Sequence, residues 1–350
     1  MSLFTILQQM GVICILTSIG IYLHKKGVVD GLTSKKISAI VVDVCNPALI
    51  LSSILSGNLT ATHEDLLVAA GLGAAFYALL ILLGFIIPRI LCVPPDKRRF
   101  YNLMTVYTNT GFLGIPVAKA VLPPNAILYV IVINVFYSLL FYTHGLTILG
   151  RGNKAEENMD KASNGENHRK SVLWSTLRSV LNPGTIMAIL SLLVFWFGIT
   201  LPPILANTIE YVGGATVFLS MMLLGVSIAR SNFATSLRDA RIWGYVALRM
   251  LLVPVGIVYL MRALHFDPTA TLAMCLMAAV PVGNLPMIQA EKIGEDTRIL
   301  SSAIAVTTVL SIATITVFMA LFSNVPAGTV LFGTFMPAGT VLFGTLRLFL

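Results

Sequence analysis

Ten stretches of 18 or more predominantly apolar residues run through the chain, near 3–23, 36–56, 65–88, 102–122, 126–149, 175–199, 204–228, 243–263, 270–290 and 299–323. A helix needs about 20 apolar residues to cross the hydrocarbon of a bilayer. Water-soluble folds have no use for so many windows of that length. Composition agrees, since 57% of the 350 residues are hydrophobic and only 11% are charged, whereas an ordinary soluble domain carries about 25% charged residues. Lipid leaves no water to satisfy a backbone, so only helices and closed barrels span it, and windows this long are helical. The chain therefore reads as an all-α membrane protein with ten transmembrane helices.

The net charge of +8 would suit nucleic acid in a soluble protein, but in a membrane chain Lys and Arg report orientation first. Nineteen of the 23 basic residues fall in the odd-numbered connections, among them Lys25, Lys26, Lys35 and Lys36, then Arg89, Lys97, Arg98 and Arg99. The even-numbered connections are short, and only Arg262 lies near one of them. The positive-inside rule puts the basic side in the cytoplasm and both termini on the non-cytoplasmic side of a plasma membrane. No nucleic-acid partner is implied. The polar stretch from Arg151 to Lys170 has almost no apolar residue and reads as a flexible cytoplasmic linker. It divides the chain into a first five-helix repeat (1–149), the linker (150–172) and a second five-helix repeat (173–325). Because five is odd, the second half enters the membrane from the opposite side, which gives an inverted repeat. In the remaining stretch, 326–350, PAGTVLFGT occurs twice without a change. It reads as an appended or frame-altered tail outside the fold.

Two windows are interrupted. The fourth contains Asn109-Thr110-Gly111-Phe112-Leu113-Gly114-Ile115-Pro116, and the ninth contains Pro281-Val282-Gly283-Asn284-Leu285-Pro286. Proline removes a backbone donor and glycine tolerates unwound dihedrals, so both helices are expected to break near mid-membrane. Each is the fourth window of its half, and interrupted segments at matching places point to a transport site. The helix amino ends exposed at such breaks suit an anion, and Asn109 and Asn284 can donate and accept hydrogen bonds to orient it. A plain helix-capping role for each asparagine is the alternative.

These motifs resemble the auxin efflux carrier family, which comprises the plant PIN carriers and bacterial-type relatives. The likeness is carried by Asn109-Thr110 with Gly114-Ile115-Pro116 and Lys119, by Asn182-Pro183, by Ala215 through Leu224-Gly225, and by Pro281, Gly283, Pro286, Ala290 and Glu291. It implies the crossed-helix fold shared with bile-acid symporters and sodium-proton antiporters, with helices 4 and 9 crossing near Pro116 and Pro286. It also implies a scaffold of helices 1, 2, 6 and 7, an elevator-like transport domain of helices 3–5 and 8–10, and a homodimer. The large cytoplasmic loop of the plant carriers is missing here.

Other polar residues in the windows are candidates for the same site. Asp43, Asn46 and Pro47, spaced i, i+3 and i+4, are expected on one helical face. Asp43 is a carboxylate inside an apolar window, and such acids are functional candidates by default; it is the candidate for binding a coupling proton or sodium ion. A structural role in packing is the alternative. Asn182 is expected to face the cavity, with an ordinary helix start as the alternative. Arg249 is expected to snorkel to the cytoplasmic interface, with a role as an anion ligand as the alternative. The substrate-binding candidates are thus Asn46, Asn109, Thr110, Pro116, Asn182, Pro281, Asn284 and Pro286. Neither a P-loop, an HExxH motif nor a GxSxG elbow is present, and the four cysteines and five histidines lack metal spacing, so no catalytic residue, metal or cofactor is expected. The expected function is secondary or facilitative transport of a small organic anion. A monovalent-cation antiporter or sodium symporter on the same fold, and a non-transporting membrane sensor or scaffold, are the alternatives.

Overall fold

A computed structural model describes residues 3–55, 62–150, 183–230, 239–293 and 295–323. Among them no strand occurs, and helix occupies part of every apolar window. The helices are α1 (Leu3–Lys25), α2 (Gly31–Leu55), α3 (His63–Ile90), α4 (Arg98–Val106), α5 (Thr110–Val121), α6 (Ala126–Gly150), α7 (Pro183–Phe197), α8 (Pro203–Arg230), α9 (Ala240–Ala263), α10 (Pro268–Ala279), α11 (Asn284–Lys292) and α12 (Arg298–Ser323). Six of them (α2, α3, α6, α8, α9 and α12) are long and apolar enough to cross a membrane. Asn182, the 151–170 linker and the 326–350 tail lie outside the described residues.

Acidic residues in the connections start several helices. Asp30 accepts from the Thr33 amide (2.7 Å), Asp267 from the Thr269 and Ala270 amides (2.7 and 3.2 Å), and Thr62 and Asp65 form a reciprocal capping box. Each satisfies donors that a helix amino end leaves unpaired.

Close backbone packing joins α1, α2 and α8. A Cβ on Gly20 or Gly225 would run into the carbonyls of Met222 and Thr17, and one on Gly213 would meet the Leu49 backbone at 2.9 Å. Helices gain little from hydrophobicity inside lipid, so small residues that admit close approach carry their association. α7 lies against α2, while α3 packs on α4 and α6, and α10 on α6, α9 and α12. α4 and α10, the helices that lead into the two interruptions, are therefore packed among other helices.

Among the described residues four helices carry π turns, at Val41–Cys45, Thr110–Gly114, Phe141–Gly145 and Val246–Leu252. The first corrects an expectation. Its wider turn breaks the i, i+3, i+4 alignment, so Asp43 is exposed beside Ile40 and Val44, whereas Asn46 is half-buried and Pro47 is buried. Extra residues of this kind recur at functional sites.

Candidate functional site

Backbone accounting leads to the site. α4 ends at Val106 and α10 at Ala279, and the chain then runs extended in each case. The two extended segments pair antiparallel at Thr108 and Val282. The Asn109 amide donates to the Pro281 carbonyl (2.8 Å), and the Gly283 amide donates to the Tyr107 carbonyl (3.1 Å). Each break thus satisfies groups that the other leaves open, which a dry interior demands. Gly283 is sterically required here, because a Cβ would stand 2.9 Å from the Tyr107 oxygen and 3.0 Å from the Thr108 oxygen.

That pairing has a cost one turn back. In a continuous helix the Thr105 carbonyl would accept from the Asn109 amide, which here serves Pro281. The Ala278 carbonyl would accept from the Val282 amide, which instead donates to the Thr307 hydroxyl on α12 (3.2 Å). Both carbonyls are recovered by one side chain. Arg249, on the π turn of α9 and 1% exposed, donates from Nε to Thr105 (2.9 Å) and from Nη1 to Ala278 (2.6 Å). Its Nη2 is buried without a partner. A guanidinium fits this position twice over, offering several donors in a fixed plane and a positive charge at two helix carboxyl ends. Arg249 does not snorkel to an interface as expected, because the nearest demand for its donors is the pair of orphaned carbonyls inside the protein.

With the carboxyl ends neutralised, the amino ends of α5 and α11 supply the remaining polarity. The Thr110 hydroxyl donates to Asn134 Oδ1 on α6 (3.1 Å). Gly111 lies between Asn46 and Asn134, since a Cβ there would be 3.4 Å from Asn46 Nδ2 and 3.7 Å from Asn134 Oδ1. Asn46 of α2 and Asn284 at the start of α11 each keep a buried amide oxygen without a partner. Neither proline is at the contact, which is Thr108 with Val282: Pro116 follows the π turn that opens α5, and Pro286 lies in the first turn of α11, where a missing N–H is harmless because the donors are unpaired in any case.

The sequence-based candidates Asn46, Asn109, Thr110, Pro281 and Asn284 are thus gathered at or beside one contact between two breaks. Pro116 and Pro286 flank it, and Asp43 stays outside it. Tyr107, Thr108, Asn134 and Thr307 belong to the same arrangement and were not singled out by sequence, and Arg249, which the sequence assigned to the interface, belongs to it as well. Tyr107 anchors the first break from its far end, donating its hydroxyl to the Leu140 carbonyl (2.9 Å) with His144 Nδ1 2.8 Å away. Polar residues within apolar windows were the available signal for Asn134 and Thr307.

Long apolar helices enclosing two broken, mutually paired ones make this a multi-pass membrane protein. A family model described as "Membrane transport protein" matches residues 5–319. The chain belongs to this family, the auxin efflux carrier group that its motifs resemble. Among similar proteins, an uncharacterized transporter of Methanocaldococcus jannaschii is 24% identical over 316 residues, covering 87% of this chain and 94% of the relative. An uncharacterized transporter of Methanothermobacter thermautotrophicus is 25% identical over 309 residues, with the same coverage.

Proposed function

We propose that the chain carries a small organic anion across the membrane by alternating access, with the substrate held where the two breaks meet. The observation that carries this reading is the division of polarity at the contact. Arg249 occupies the carbonyl ends of the half-helices, while the amino ends of α5 and α11 stand beside the unpartnered amide oxygens of Asn46 and Asn284. Unpaired N–H groups at helix amino ends suit a carboxylate. Amide oxygens suit a donor on the same molecule, so the substrate is a carboxylic acid that also bears an N–H or O–H group, of the auxin-like or hydroxy-dicarboxylic kind.

The reading includes ten spans in two inverted halves, termini on the non-cytoplasmic side of the plasma membrane, and a homodimer. The glycine-tight contact of α1, α2 and α8 supports a rigid scaffold, against which the helices bearing the breaks move as an elevator. The reading also counts Asn182 among the substrate-binding residues. Asp43, exposed on α2, binds the coupling proton or sodium ion.

Counterflow in proteoliposomes tests this directly, using indole acetate, malate and malonate over a range of pH with and without sodium. Exchange of at least one acid, reduced at least tenfold by Asn284→Leu, is the expected result. Flux of cations alone would favour the antiporter reading. Ligand binding without any flux would favour a sensor.

A further inference from the structure

A second polar site lies away from the crossing. Between the end of α3, the turn after it, the start of α4 and the end of α6 is a cavity of about 500 Å³. Among the described residues, three arginines line it, Arg89, Arg98 and Arg99, against a single carboxylate, Asp96. Asn102 also lines it, 3% exposed, and neither its amide nitrogen nor its amide oxygen has a partner. The asparagine packs over Gly84, where a Cβ would stand 2.8 Å from Nδ2. Leaving both ends of a buried amide unpaired costs free energy, and a ligand in the cavity removes that cost.

The arginines are held in place from behind. Arg98 donates from Nε to the Val93 carbonyl (2.9 Å) and Arg89 donates to the Phe85 carbonyl. Arg99 bridges the Leu149 carbonyl (3.2 Å) and the Glu295 carboxylate (2.6 Å), so its charge is already balanced. Arg89 and Arg98 against Asp96 leave a surplus of positive charge facing the cavity. Guanidinium groups match the geometry of phosphate oxygens. Phe85, Pro88 and Ile148 add apolar lining, and the same helix, α3, carries exposed apolar residues at Leu82, Ile86 and Ile90. A charged head beside an apolar external face is the geometry of a lipid at an interface, and basic pockets between transmembrane helices on the cytoplasmic side take anionic headgroups.

We propose that this cavity binds a phosphate ester, presented as the headgroup of an anionic membrane lipid. Its cytoplasmic placement rests on the orientation in the proposed function, but its chemistry does not, and binding is read without any transport.

The test uses purified full-length protein in detergent, titrated with dioleoyl phosphatidylglycerol, dioleoyl phosphatidylcholine or inorganic phosphate. Thermal unfolding and native mass spectrometry are the readouts. Phosphatidylglycerol should raise Tm and remain bound in the spectrometer, with phosphatidylcholine doing neither. Arg98→Gln should weaken the phosphatidylglycerol effect at least tenfold, Asn102→Leu should weaken it too, and Lys36→Gln, on α2, should leave it unchanged. Should Asn102→Leu fail to fold, Arg89→Gln on the exposed rim serves in its place. Equal effects of the two lipids, or equal losses in Arg98→Gln and Lys36→Gln, would overturn the proposal. A shift with inorganic phosphate and none with either lipid would overturn the lipid source.

Discussion

The two breaks do the same task with different parts. Each is held through a polar side chain of the helix that follows the resumed one, α6 at the first and α12 at the second, at sequence separations of 24 (Thr110 to Asn134) and 25 (Val282 to Thr307). At the first break the helix resumes through a π turn, and its side-chain hydroxyl is tied to an amide. At the second the chain leaves α10 extended, a backbone amide is tied to a hydroxyl, and α11 starts directly at Asn284. Glycine follows this difference. Gly283 faces two rigid backbone oxygens, whereas Gly111 faces amide side chains and Gly114 faces the tip of Met277. The second break is the sterically strict one, and the first is the adaptable one.

Arg249 is what the two breaks share, so its loss should have the largest effect. Arg249→Met leaves the Thr105 and Ala278 carbonyls without donors, at about 1–3 kcal/mol each, partly offset because a buried charge is also removed. Hydrogen exchange should accelerate at both breaks together, and Arg249→Lys should restore protection in part. Acceleration at one break alone would separate them.

Gly283→Ala should come next, with Tm falling by an amount equivalent to about 1–3 kcal/mol, as for an overpacked core. Gly111→Ala should leave Tm nearly unchanged, since the new Cβ meets only ordinary contacts. It should nevertheless impair counterflow, because it fills space between Asn46 and Asn134. A large drop in Tm would contradict the adaptable reading of the first break. Gly114→Ala should lower Tm slightly more than Gly111→Ala, because its Cβ would stand 2.9 Å from the Cε of the buried Met277, whose tip must shift, and it should have the smallest effect on counterflow.

Much of this arrangement was legible in the sequence. The apolar windows located the helices, and paired Gly and Pro motifs located both breaks. The prolines misdirected, because each lies inside the resumed helix and after the opening, Pro116 beyond the π turn of α5 and Pro286 in the first turn of α11. Arg249 was misread because a lone arginine near the end of an apolar window usually reaches for water. Its real partners are carbonyls created by breaks in two other helices, a demand invisible along its own stretch. Asp43 was aligned with Asn46 on ideal helical spacing, and the π turn at Val41–Cys45 removes that alignment.

The central claim is that both amino ends form one anion site. Its most direct measurement is amide hydrogen exchange with and without the acid identified by counterflow, followed at 109–113 and 283–287. Protection rising at both segments together, and falling at both in Asn284→Leu, is the predicted result. Protection of one segment alone, or of neither at saturating acid, would contradict it.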